Sequence, residues 1–256
     1  MGVYTKVCFA YILVSGKAKK TETLKAKIYS HTLLIGTSDL QIGDESMGCV
    51  FGEFIPNENY FKHIQKKVWN FWKANNTDYA KWNSLRFNVQ LDNGYFLYPV
   101  GGYTFDDNPD FPYETKRIDI AGIDRHIIED FFLQKASELF LVEPWESISI
   151  KQKIIYEDEL NKELGLGEKS FFDFLKPRQE KHELADFKFA ALSKYKSDDD
   201  VLFISRKENF EKQFAVIHLT WKGKKEVDGF PDIDFYNDFN EFKNLRMYPD
   251  KNEWEE

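Results

Sequence analysis

The residues with the richest chemistry in this chain are five histidines, two cysteines and several groups of carboxylates. His31, His63, His126, His182 and His218 form no H-E-x-x-H pattern and no Cys/His cluster, so neither a sequence-local zinc site nor any cofactor is expected. His126 and Glu129, three residues apart, share one face of a helical pattern. No second such pair completes a metal set, so that face reads as solvated. There is no G-x-S-x-G elbow. Cys49 can act with His31 only if the fold brings them together, and its neighbours Val50 and Phe51 argue for a buried thiol. Gly101-Gly102 follows a strand pattern but precedes neither a helix nor a Lys-Ser/Thr pair, so no phosphate cradle is expected. His218 lies in an apolar run, and general-base work there requires a carboxylate partner that no local pattern supplies. An enzyme reading therefore reduces to a hydrolase or transferase site scattered around His31, Cys49, His126 or His218. It ranks as the alternative.

The carboxylates are more informative. Formal net charge is −8 over 256 residues. An acidic chain repels phosphate, which excludes a general nucleic-acid binder. From Glu226 to Glu256 there are ten acids against three bases, so most of that excess sits at one end. Asp198-Asp199-Asp200 adds another acidic run, without the spacing of an EF-hand loop. Aromatic residues are interleaved with the acids. The pattern predicts a docking surface for a basic protein partner, because complementary charge speeds encounter and aromatic anchors hold the complex. Asp198, Asp199, Asp200, Asp228, Asp232 and Asp234 are the expected steering acids, with Phe230 and Tyr236 as anchors.

The elements that must position these residues read as an α+β chain. Residues 1–122 form a β-rich zone, with strand patterns at Val3–Val14, Leu24–Ile28, Thr32–Ile35 and Cys49–Ile55. Leu85, Phe87, Val89 and Leu91 alternate with polar residues, and Asn93-Gly94 then predicts a type I′ hairpin turn. Phe61, Ile64, Val68, Phe71 and Trp72 make one helical stripe, capped by Asn57 or Asn59. Residues 123–168 form a helical connector, in which Ser149 and Gln152 resemble a capping box and Gly165 and Gly167 end the helix. Residues 169–256 form a small α+β unit. Its strands are Val201–Ser205 and Phe214–Trp221, and its closing helix begins at Asp238 with Glu241. Aromatic residues are 17% of the chain, enough to fill a substantial core.

The run Phe214-Ala215-Val216-Ile217-His218-Leu219-Thr220-Trp221-Lys222-Gly223-Lys224-Lys225-Glu226, followed by Pro231, Phe239, Phe242, Met247, Pro249 and Asp250, resembles small uncharacterised bacterial proteins of toxin–immunity type. The resemblance spans about residues 201–256 and implies a non-catalytic binding protein that neutralises a toxin domain by occluding its active site. Cys8 and Cys49 are too few for a secreted disulfide framework and read as free thiols. Val7–Val14 is too short to span a bilayer. The expectation is a cytoplasmic protein with no membrane or nucleic-acid partner and an open oligomeric state.

Overall fold

The computed structural model describes residues 23–73, 78–133, 140–167, 182–227 and 229–256. The strand pattern Val3–Val14, Cys8 and Asp228 lie outside them. The described chain is α+β, and every strand pairing is antiparallel. It divides into two compact units, Met1–Leu139 and Phe140–Glu256.

The first unit is built on seven strands: β1 (Leu24–Ser30), β2 (Leu33–Asp44), β3 (Cys49–Pro56), β4 (Phe87–Leu91), β5 (Phe96–Leu97), β6 (Gly102–Asp106) and β7 (Arg117–Ala121). Their order across the sheet is β5-β4-β1-β2-β3-β7-β6. The sheet curls until its ends approach. Phe87 on β4 meets Phe105 on β6 with ring centroids 4.8 Å apart, and the Tyr103 hydroxyl on β6 donates to the Leu97 carbonyl on β5 at 2.6 Å. The curl encloses an aromatic core in which Phe54 and Tyr60 pack edge to face at 4.9 Å. Beneath it, Asp107 accepts from the Tyr60 hydroxyl (2.8 Å) and Gln65 Nε2 (3.0 Å) and pairs with buried Lys116 at 3.2 Å.

Two local expectations shift. The helical stripe forms, but it begins as a π-helical turn, Tyr60–Ile64, that leads into α1 (Gln65–Lys73). The wider turn changes the phase, so Tyr60 is buried with Ile64 and Val68 while Phe61 is exposed. Asn57 is the cap, its Oδ1 accepting from the backbone N–H of Asn59 and of Tyr60. The β4–β5 hairpin forms with Gly94 at φ 95°, but Asn93 is not in the left-handed region. Gly94 N–H donates to Leu91 O, and Leu91 N–H to Tyr95 O. This is a type I turn followed by a glycine bulge, a three-residue loop in place of the type I′ turn. Nearby, α2 (Tyr79–Asn83) sets Trp82 against Phe87.

Residues 123–168 are divided between the units. Short helix α3 (Arg125–Ile127) belongs to the first unit. The second unit contains β8 (Trp145–Ser147) and α4 (Ile150–Glu163), followed by β9 (Lys188–Tyr195), β10 (Asp200–Arg206), β11 (Phe214–His218) and β12 (Ile233–Tyr236). The five strands lie in the order β12-β11-β10-β9-β8. Ser149 and Gln152 form a complete capping box at the start of α4. At its other end Gly165 takes φ 71°, the left-handed residue that lets the helix stop. Where the β9–β10 register slips, Lys153 Nζ donates to Ala191 O and Ala191 N–H donates to Glu157 Oε1. The β8–β9 pairing ends at Ser193, and an ion pair from α4 bonds the β9 backbone beyond that end. The closing segment is α5 (Phe239–Phe242), a π-helical turn over Lys243–Met247 and α6 (Tyr248–Glu255). Asp238 caps it by accepting from Glu241 N–H.

Candidate functional site

Antiparallel register builds the site. Asp200 opens β10 and His218 closes β11, and the two are directly paired across the strands. His218 Nδ1–H donates to Asp200 Oδ1 at 2.8 Å, so the fold supplies the carboxylate that sequence proximity did not. Asp198 Oδ1 lies 3.3 Å from the same nitrogen. This hydrogen bond, helped by the charges of Asp200, Asp198 and Asp199, raises the imidazole pKa above its ordinary value. His218 is exposed, and its Nε2 has no hydrogen-bond partner among the described residues.

The other oxygen of Asp200 is fixed from the closing segment. Arg246 donates from a terminal guanidinium nitrogen to Asp200 Oδ2 at 2.6 Å and from Nε to Asp250 Oδ2 at 2.9 Å. The buried Trp145 indole N–H donates to Asp250 Oδ2 at 2.7 Å. A continuous chain therefore runs Trp145–Asp250–Arg246–Asp200–His218. Tyr236 lies beside it, its pKa pushed up to about 12 by burial and the negative charges of Asp234, Asp250 and Asp200.

The loop after β11 is held by a second carboxylate system, on α4. Fully buried Glu163 accepts at Oε1 from Thr220 N–H (2.8 Å) and Trp221 N–H (2.9 Å), and Glu159 Oε1 accepts from Gly223 N–H (2.7 Å). The Thr220 hydroxyl donates to Glu226 Oε1 at 2.5 Å and lies 3.0 Å from Glu163 Oε1. Trp221 adopts φ 57°, left-handed backbone that a bulky residue occupies only under constraint, and that turn aims successive N–H groups at one carboxylate. His182 completes the hold. Its Nδ1 accepts from Leu184 N–H, so the ring's N–H is at Nε2, donating to Phe230 O at 2.7 Å.

The eight expected partner-binding residues separate by burial. Asp198, Asp199, Asp232, Asp234 and Phe230 are exposed. Asp200 and Tyr236 are buried, because strand alternation turns both toward the closing segment. Neither can meet a partner directly, which corrects their expected roles. Asp228 lies outside the described residues. Leu219 N–H donates to Asp199 O and His218 N–H to Asp232 O, so the Asp198-Asp199 turn and Asp232 occupy the same end of the sheet.

Within the first unit, His31 and Cys49 do not converge. His31 turns β1 into β2, whereas Cys49 pairs with Asp44 at the far end of β2. The twelve residues of β2 put more than roughly 30 Å between them. Cys49 is buried. Glu129 is engaged by Arg125 at 2.7 Å. Sequence reasoning missed Arg246, Asp250, Trp145, Glu159 and Glu163. All five act across long sequence separations, although the i,i+4 spacing of Arg246 with Asp250 and of Glu159 with Glu163 is visible in the sequence.

No protein-family model, no curated protein and no solved structure matches the chain. No helix among the described residues is long and apolar enough to cross a membrane.

Proposed function

We propose that this chain is a non-catalytic protein-binding module of immunity type, acting in the cytoplasm, and that it docks a basic toxin domain with one end of the second unit's sheet. The observation that supports this reading is a rigid display of apolar side chains beside acids. Trp221 is 40%, Phe230 50% and Val227 68% exposed, yet all three sit on the loop pinned by Glu159, Glu163 and His182. Apolar residues held in place before contact lose little entropy on binding. Asp198, Asp199 and Asp232 rim that end and steer a cationic partner. Lys222, Lys224 and Lys225 on the same loop limit the acidic field to those residues.

The test is capture of a partner from source-cell lysate, followed by stopped-flow association of the purified pair over a salt series. Asp199→Lys with Asp232→Lys is expected to slow association about tenfold at low salt and flatten its salt dependence. Phe230→Ala is expected to speed dissociation by a similar factor. Unchanged rates in both variants overturn the reading.

One observation favours a second reading, the hydrolase or transferase. His218 is oriented by a carboxylate while its outer nitrogen faces solvent, the arrangement of a general base. Turnover of a model ester or phosphoester that His218→Ala abolishes would move the assignment there.

A further inference from the structure

We propose that Asp198, Asp200 and His218 form a binding site for a divalent transition-metal ion, with zinc the best match. The inference goes beyond partner docking, and the two can fail separately.

The argument starts from convergence. The imidazole nitrogen Nδ1 of His218 and one carboxylate oxygen from each aspartate all lie within 4.8 Å of one another. Ligands held at zinc–nitrogen and zinc–oxygen distances in tetrahedral geometry sit about 3.3 Å apart. Asp198 Oδ1 is 3.3 Å and Asp200 Oδ1 2.8 Å from Nδ1. Without a metal, the one hydrogen on Nδ1 goes to Asp200 Oδ1, and Asp198 Oδ1 stands by at 3.3 Å while accepting from Asp199 N–H at 2.6 Å. A cation replacing that proton draws on all three donors at once.

The surroundings fit the same purpose. Asp200 Oδ2 is taken by Arg246, so the carboxylate is locked with Oδ1 toward His218. Arg246 is itself neutralised by Asp250, which the Trp145 indole holds in turn. Such outer hydrogen bonds orient metal ligands and raise their affinity. The guanidinium faces the oxygen that does not ligate. Asp198 and His218 are exposed, leaving positions open for water or a ligand from another molecule. An imidazole beside two carboxylates selects zinc or a neighbouring first-row ion over magnesium and calcium, which prefer oxygen alone. Among the described residues this is the one group of histidine and carboxylate ligands so gathered.

The experiment is titration of the tag-free full-length chain with zinc alone against a chromophoric chelator, with magnesium and calcium in parallel. The expected result is one saturable equivalent of zinc. His218→Ala and Asp198→Asn should each weaken binding at least tenfold. Both residues are exposed, so the variants test the site and not the fold, and circular dichroism checks this. Arg246→Met should weaken zinc less than either ligand variant, because it frees the orientation of Asp200 without removing a donor. No saturable zinc binding, or binding equal in wild type and His218→Ala, overturns the proposal. Magnesium or calcium binding as tightly as zinc, unaffected by His218→Ala, overturns it as well.

Discussion

Glu163 shows how one buried side chain can organise a segment distant in sequence. One carboxylate oxygen receives two backbone N–H groups while the other, also buried, has no hydrogen-bond partner among the described residues. Burial raises its pKa, with a smaller push from Glu159 that the N–H and hydroxyl donors oppose. Glu226, Lys222 and Lys162, the last paired with Glu159 at 3.0 Å, are charged groups bridged into this cluster. A carboxyl whose pKa is raised by folding binds its proton more tightly in the native state. Its contribution to stability is therefore largest below the ordinary carboxylate range and declines as pH rises through the raised value. Glu163→Gln removes that decline. Thermal melts from about pH 4 to pH 8 should show the variant gaining on wild type as pH rises; parallel curves would contradict the assignment. In the first unit, Asp107→Ala strands the buried Lys116 ammonium and removes an acceptor from Tyr60. The expected loss is about 3–5 kcal/mol by urea unfolding, and a loss under about 1 kcal/mol would mean water reaches the lysine.

At the scale of elements, most starts and stops were legible because they are set by neighbours in sequence. Ser149 and Gln152 formed the expected box, Gly165 ended α4, and Asp238 capped the closing segment. Ser149→Ala should cost about 1 kcal/mol in denaturant midpoint measurements, with no effect on the sheet. What misled was the detail of backbone phase. Asn-Gly is compatible with two hairpin loops, and the register of β4 with β5 chose the longer one. A π-helical turn before α1 exchanged Phe61 for Tyr60, whose hydroxyl then reached Asp107. Within the run 214–226, the segment after β11 is a loop whose backbone N–H groups at Thr220, Trp221 and Gly223 are held by two α4 carboxylates.

On the scale of the whole molecule, the two compact units meet in sequence at Leu139 and Phe140, ahead of α4. The helix serves the second sheet directly, through Lys153 and Glu157 at the β9 bulge and through Glu159 and Glu163 at the loop. A fragment of residues 140–256 is expected to melt cooperatively, whereas one beginning at residue 168 should not, since it lacks those four side chains. Calorimetry of the two fragments decides this, and a cooperative transition in the shorter one would show that α4 is dispensable.

The sequence by itself determined the α+β class, the hairpin, the helix caps and the acidic balance, all of which follow from local spacing or from composition. It also placed His218 in an apolar run. Only the tertiary structure decided what that histidine meets. Asp200 is eighteen residues away and becomes its partner through antiparallel register, while Arg246, Asp250 and Trp145 arrive from both ends of the second unit. The same folding withdrew Asp200 and Tyr236 from the surface and separated His31 from Cys49. Periodicity reports which face a residue takes. Which residues share that face is fixed by strand order and register, and those depend on burial summed over a whole sheet.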